Sequence, residues 1–79
     1  MSRHATHPTG PAKGSYANYF EVGHTAFEVV IDFGQTYEGT TPTPCHTRIV
    51  MSPVYAHGLL RTLQDAMKQY DTSFGRPAE

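Results

Sequence analysis

The sequence predicts an α+β domain in which a three-stranded antiparallel sheet is followed by one C-terminal amphipathic helix, in the order β-β-β-α. Three segments alternate apolar and polar residues with a period of two, which is typical of strands with one buried face. One segment near the C-terminus repeats apolar residues in steps of three and four, which indicates a helix. A chain of 79 residues is long enough for one domain only.

The small size of the chain predicts that oligomerisation completes this fold. In a domain of about 60 ordered residues, the free energy gained by burying apolar surface roughly equals the entropic cost of ordering the chain. Such a domain normally depends on a disulfide, a metal or a partner chain for its stability. The single cysteine, Cys45, cannot close a disulfide within the chain. We therefore expect self-association as a homodimer or a larger oligomer, with a different protein as the alternative partner.

The ends of the chain are predicted to be tails. Residues 1–14 contain two prolines, two glycines and no large apolar residue after the first methionine. Such a segment cannot offset the entropy of ordering. We expect residues 1–14 to be a disordered N-terminal tail, residues 15–75 to form the single β-β-β-α domain and residues 76–79 to be a C-terminal tail.

The first two strands are predicted to form a hairpin. Residues 15–22 are rich in Tyr, Phe and Val, and residues 25–33 alternate in polarity, with a turn at Gly23 and His24 between them. The second segment places four large apolar residues on one face: Phe27, Val29, Ile31 and Phe33. A Pro- and Thr-rich loop at 34–45 precedes the third predicted strand, at 46–51.

The helix is predicted to begin at Ser52 and Pro53, because Ser is a favoured N-cap and Pro is tolerated in the first turn. Gly75 and Pro77 supply its end. Its apolar stripe consists of residues that recur every three or four positions: Ala56, Leu59, Leu60, Leu63, Ala66, Met67, Tyr70 and Phe74.

The opposite face of the sheet is the predicted interface. We expect the helix stripe to cover the sheet face that carries Ile31. Tyr19, Val30 and Val50 would then lie on the second face, where a fully solvated surface would not normally place them. We predict that these three residues form the self-association surface.

Several short motifs resemble a known family. They are residues 16–18 (Tyr-Ala-Asn), residues 32–35 (Asp-Phe-Gly-Gln), residues 51–53 (Met-Ser-Pro) and the following helix with its Phe74-Gly75 end. Together they resemble the small bacterial domain of unknown function 3467, over nearly all of residues 15–75. The resemblance implies a compact bacterial domain without an assigned activity, and it carries no catalytic residues to transfer.

The charge distribution argues against nucleic-acid binding. The chain has a net charge of −1, and residues 15–75 hold three Lys and Arg against six Asp and Glu. Nucleic-acid affinity depends on clustered cations that neutralise phosphates, and this segment lacks them. The aromatic residues of the sheet nevertheless leave a second hypothesis open, in which the domain binds nucleic acid or a small ligand on that face.

No combination of residues predicts catalysis or a metal cofactor. Cys45 and His46 are adjacent on a strand, so their side chains diverge. His24 and His57 supply no second ligand pair of the kind that structural zinc sites use. The segment Ser2-Arg3-His4 could bind Cu(II) or Ni(II) in a square plane if Met1 is removed, but any chain with His at the third position shares this chemistry. We expect no cofactor, no metal and no enzymatic activity.

The compartment and function follow from these exclusions. The longest apolar run is residues 29–31, which is far too short to cross a bilayer, and no secretory signal precedes the domain. We expect a cytoplasmic protein that does not contact the membrane. The leading hypothesis is a small homo-oligomeric interaction or assembly module.

Overall fold

The structure is a computed structural model that describes residue 8, residues 10–38 and residues 45–75. Three strands, β1 (Tyr19–His24), β2 (Val29–Gly34) and β3 (Cys45–Met51), form one sheet in the order β1-β2-β3. Both strand pairs are antiparallel. One helix, α1 (Pro53–Phe74), follows β3. The predicted fold class, β-β-β-α, is therefore confirmed.

The turn of the first hairpin lies further along the chain than predicted. β1 continues through Gly23 and His24, and β2 begins only at Val29. The hydroxyl oxygen of Thr25 accepts hydrogen bonds from the backbone N–H groups of Phe27 and Glu28, at 3.1 and 3.2 Å. This side-chain cap stabilises a turn. Phe27 consequently belongs to the turn, and the prediction that it lies on the strand face is wrong.

The strand register divides the side chains between two faces. Directly opposed residues in an antiparallel sheet share a face, and the register pairs Phe20 with Phe33, and Val22 with Ile31 and then Ile49. We call this face the front face; its apolar residues are Phe20, Val22, Val29, Ile31, Phe33, Ile49 and Met51, and its polar residues are His24 and Thr47. The other face, which we call the back face, contains the row formed by Glu21, Asp32 and Arg48.

The helix begins and ends where the sequence predicts. Ser52 is the N-cap residue, and its carbonyl oxygen accepts hydrogen bonds from the N–H groups of Tyr55 and Ala56, both at 3.0 Å. The Ser52 side chain makes no capping hydrogen bond. At the other end Gly75 adopts a positive φ of 80°, and its N–H donates to the Asp71 carbonyl at 2.9 Å. Glycine tolerates this conformation without a steric penalty.

The helix does not cover its own sheet. No residue of α1 is buried, and the six large side chains of its stripe are 41 to 59% exposed. The prediction that the stripe covers the sheet face of Ile31 is therefore wrong within a single chain. The physical reason is the connection, because Ser52 alone separates Met51 at the end of β3 from Pro53 at the start of α1. Its extended conformation, φ −73° and ψ 157°, carries the helix away from the sheet.

The described part of the chain consequently has no hydrophobic core. The residues that are buried within it are Asp32 and Gly34, and no hydrophobic side chain there is buried. A sheet with one apolar face and a helix with one apolar stripe must bury these surfaces to be stable. The single chain leaves both uncovered.

We expect Gly58→Ala to stabilise the protein by about 1 kcal/mol, because glycine lowers the stability of a helix interior. Gly58 lies about 140° around the helix axis from Leu63, on the side opposite the stripe. A Cβ added there would meet no atom within 4 Å beyond its own part of the helix. Thermal unfolding of the two proteins checks this, and a lower melting temperature for Gly58→Ala would contradict it.

Candidate functional site

A charged pair occupies the centre of the back face. Arg48 on β3 lies opposite Asp32 on β2. Its Nε donates to Asp32 Oδ1 at 2.7 Å and its Nη2 donates to Oδ2 at 2.8 Å. This is the bidentate geometry that guanidinium and carboxylate groups favour. The Asp32 side chain is 11% exposed, whereas the Arg48 side chain is 69% exposed, so the carboxylate lies against the sheet and the cation faces outward.

The salt bridge shifts the pKa of both residues. The hydrogen bonds from Arg48 lower the pKa of the Asp32 carboxyl, although burial of this group acts in the opposite direction. The same hydrogen bonds raise the pKa of Arg48. Each partner therefore favours the charged form of the other.

Tyr19 and Glu21 extend this charged centre. The Tyr19 hydroxyl donates to Glu21 Oε2 at 2.5 Å. This hydrogen bond is the largest cause of a raised pKa for the Tyr19 hydroxyl, because the proton is held between the two side chains. Tyr19 therefore contributes a polar contact to the back face as well as an aromatic ring.

The acidic residues of this centre are already engaged. Possible ligand atoms of Glu21, Asp32 and Cys45 lie within 4.8 Å of one another, and in the described residues this is the one such group of three. However, Arg48 already places a cation against the Asp32 carboxylate, and Tyr19 donates to Glu21. The arrangement favours a salt-bridged centre over a divalent cation.

The histidines are separate from this group. His46 bonds the Tyr16 carbonyl oxygen through Nε2 at 3.0 Å and the Thr47 hydroxyl through Nδ1 at 2.7 Å. The contact with Tyr16 joins β3 to the segment before β1, and the contact with Thr47 lies within β3. Neither His24 nor His57 belongs to the ligand group found in the described residues. The Ser2-Arg3-His4 segment lies outside the described residues.

The first motif of the family resemblance has a structural role. The Asn18 backbone N–H donates to the Gly34 carbonyl at 3.0 Å. Its side-chain Oδ1 accepts from the Thr36 N–H at 2.8 Å, and its Nδ2 donates to the Thr36 carbonyl at 3.3 Å. The amide thus continues the β1–β2 hydrogen-bond ladder beyond the ends of both strands. Asn18 therefore stabilises the pairing of β1 with β2, and this structural role accounts for its place in the motif without a ligand.

The three predicted interface residues lie on the back face around the charged centre. Val30 pairs with Val50 across β2 and β3, and the next residues on the same face of these strands are Asp32 and Arg48. Tyr19 lies on the opposite side of the Glu21–Asp32–Arg48 row from the two valines. Val50 is exposed, whereas Val30 and Tyr19 are half-buried. An open depression lies beside Val30 and the charged row; its lining residues are Glu21, Val22, Gly23, Val30, Asp32 and Arg48. Their role in self-association remains a prediction.

The larger uncovered apolar surface is the front face, which the sequence pattern predicts to be covered by the chain's own helix. Phe20 and Val22 are 58% and 67% exposed. The Phe20 and Phe33 rings meet edge to face, with centroids 5.8 Å apart. The signal that could have revealed this surface was the single residue, Ser52, between the third predicted strand and the helix.

We expect Asp32→Asn to destabilise the protein at neutral pH, and this deficit to shrink in acid. Because the pKa of Asp32 is lowered from its ordinary 3.8, its stabilising contribution is complete above that value and is lost as the pH falls through the lowered value. Urea midpoints of both proteins between about pH 7 and pH 3 measure the difference. Glu28→Gln is the control, and a deficit that does not change with pH would contradict the prediction.

Comparison with known proteins shows the family but no activity. A family model described as a protein of unknown function, DUF3467, matches residues 5–76. This match begins ten residues before the predicted domain start at residue 15. No curated protein and no solved structure matches the chain. Among the described residues no helix combines the length and apolar character needed to cross a bilayer. The match spans most of the chain, as the motif resemblance predicts, and the chain belongs to the DUF3467 family.

Proposed function

We propose that this chain is a small homo-oligomeric assembly module with no catalytic activity of its own. The observation that supports this proposal is the absence of any buried hydrophobic side chain among the described residues. An apolar sheet face and an apolar helix stripe are both present and neither is covered. A second copy that covers them would supply the hydrophobic burial on which folding depends.

The exposed surface is large enough for a stable interface. Fifteen large hydrophobic residues in the described ranges are at least 41% exposed. A standard protein–protein interface buries roughly 800 Å² per partner over about 20–30 residues, so this set alone supplies much of the apolar part of such an interface.

Self-association explains these surfaces better than an unrelated partner. The same chain carries a helix stripe and a sheet face, which are the two layers that an α+β domain packs together. Two copies can satisfy both needs through a symmetric interface. A net charge of −1 gives two copies little mutual repulsion.

The back face supplies a second, smaller association surface in this proposal. Val30 and Val50 form an apolar pair beside the Asp32–Arg48 salt bridge, and Tyr19 contributes its ring. A polar and charged surface with a few apolar residues suits a weaker contact. Association of dimers through this face would give the larger oligomers.

The remaining features support a non-catalytic, cytoplasmic role. The acidic groups of the charged centre are held by Arg48 and Tyr19, which favours a structural role for these carboxylates. The exposed, unpaired thiol of Cys45 suits a reducing compartment. The family resemblance adds the expectation of a bacterial host.

The mass in solution tests the proposal. We expect sedimentation equilibrium to give about twice the chain mass of 8.7 kDa, or more, and thermal stability to rise with protein concentration. A folded monomer at tens of micromolar would overturn the proposal.

A fluorescence titration with single-stranded oligonucleotide tests the second hypothesis. The charge argues against binding, because the one Lys or Arg in the three strands, Arg48, lies on the back face and is paired with Asp32.

A further inference from the structure

The geometry points to a dimer that exchanges helices. We infer that α1 of each copy packs its stripe on the front face of the other copy's sheet. The inference rests on the proposed self-association and specifies which surfaces meet. It follows from the connection between β3 and α1, from the dimensions of the two surfaces and from the distribution of charge.

The connection prevents the helix from folding back on its own sheet. Connections between strands and helices commonly contain about two to six residues, whereas Ser52 alone joins β3 to α1. Its carbonyl already accepts the first helical hydrogen bonds from Tyr55 and Ala56. Pro53 holds its own φ near −65° and adds no freedom. Short hinges of this kind favour exchange of an element between copies.

The two surfaces match in size. Strands of six residues are about 20 Å long, and three neighbouring strands are about 10 Å across between the outer two. One helix with side chains is about 10–12 Å wide, and the stripe from Ala56 to Phe74 extends about 27 Å. A single helix can therefore cover a complete front face. Tyr70 and Phe74, whose ring centroids are 5.1 Å apart, lie at the end of the stripe.

Charge is absent from both surfaces. The nine residues that the register places on the front face, including the polar His24 and Thr47, and the eight of the stripe include no Lys, Arg, Asp or Glu. The charges of the sheet, Glu21, Asp32 and Arg48, project from the back face. Helix on sheet would therefore bury no unpaired charge.

Other symmetric arrangements leave apolar surface exposed. If two helix stripes packed only on each other, both front faces would remain in water. If the two sheets packed only on each other through their front faces, both stripes would remain exposed. Helix exchange covers both stripes and both front faces in one two-fold interface. It therefore removes both the front face and the stripe from water, whereas exposed residues elsewhere, such as Val50 on the back face, stay outside this interface.

Mixing of charged variants tests the exchange. Leu63 lies at the middle of the stripe and Ile31 at the middle of the central strand. A mixed exchanged dimer contains one copy with Leu63→Glu and one copy with Ile31→Lys. The helix with Glu at position 63 then lies on the sheet with Lys at position 31, so the two new charges attract each other. The other helix–sheet contact is that of wild type. We expect each variant alone to lose the dimer and the mixture to recover a heterodimer, detected by native mass spectrometry through the different masses of the two chains.

The control mixture distinguishes the arrangements. Leu63→Glu mixed with Leu63→Lys pairs opposite charges only where two helix stripes contact each other. We expect no heterodimer from that mixture. If wild type is dimeric and the control mixture alone recovers a heterodimer, or neither mixture does, helix exchange is wrong while self-association stands. If wild type is a folded monomer, the proposed function itself fails.

A longer hinge provides an independent test that leaves both apolar surfaces intact. Inserting several Gly and Ser residues between Ser52 and Pro53 would allow α1 to reach the front face of its own chain. We expect this variant to be a folded monomer with the circular dichroism spectrum of wild type. A dimer as stable as that of wild type would overturn the inference.

Discussion

Leu63→Ala should lower the free energy of unfolding by about 2–5 kcal/mol, the range for truncating a buried leucine. In the single chain Leu63 is 55% exposed, and a truncation at such a surface position normally changes stability by less than about 0.5 kcal/mol. The large effect is therefore expected only if a second copy covers the helix stripe. Urea denaturation at several protein concentrations measures it, because a dimer unfolds at higher urea when it is more concentrated.

A matched variant separates the stripe from the helix as a whole. Gln64 follows Leu63 directly and lies on the solvent side, about 100° further around the axis. Gln64→Ala should leave stability nearly unchanged, since Ala and Gln have similar helix propensities. Equal, small effects of Leu63→Ala and Gln64→Ala would contradict burial of the stripe.

The secondary structure could be predicted from the sequence because each element carries a local signal. The period-two alternation of residues 46–51 and the three-and-four spacing after Pro53 are properties of the elements themselves. The end of α1 was likewise predictable, because Gly75 adopts the positive φ that glycine tolerates best. These signals depend on neighbouring residues along the chain.

The site was harder to predict because it depends on register and on packing. The salt bridge between Asp32 and Arg48 exists because the β2–β3 register places the two residues opposite each other, and a shift by one residue would have separated them onto different faces. The hairpin turn lies further along the chain than predicted for a similar reason, since the hydrogen bond that the Phe27 backbone N–H donates to the Thr25 hydroxyl oxygen outweighs the strand propensity of Phe27. Composition reveals neither effect.

The packing of the helix was predicted wrongly for a definite physical reason. Amphipathic patterning indicates that a stripe must be buried, but it does not say against which chain. A longer connection would have made the chain's own sheet the expected answer. With Ser52 as the whole connection, the same pattern instead favours a second copy, so the length of the connection was the informative feature.

Two neighbouring residues on β2 separate the two proposed association surfaces. Ile31→Glu should abolish the folded dimer, because it places an unpaired carboxylate at the centre of the front face, where the partner's helix would remove it from water. Val30→Glu changes the adjacent residue, which points to the back face beside Val50. It should leave the dimer intact and lower only the mass of larger assemblies, because the back face is already polar and partly solvated around Asp32 and Arg48.

Sedimentation velocity of wild type, Ile31→Glu and Val30→Glu at matched concentrations measures both effects. The two variants carry the same new charge on the same strand, so a general loss of strand propensity would affect them equally. Their difference therefore reports which face is desolvated. If Val30→Glu dissociates the dimer while Ile31→Glu does not, the dimer is built on Tyr19, Val30 and Val50 of the back face, and the front face must be covered in another way.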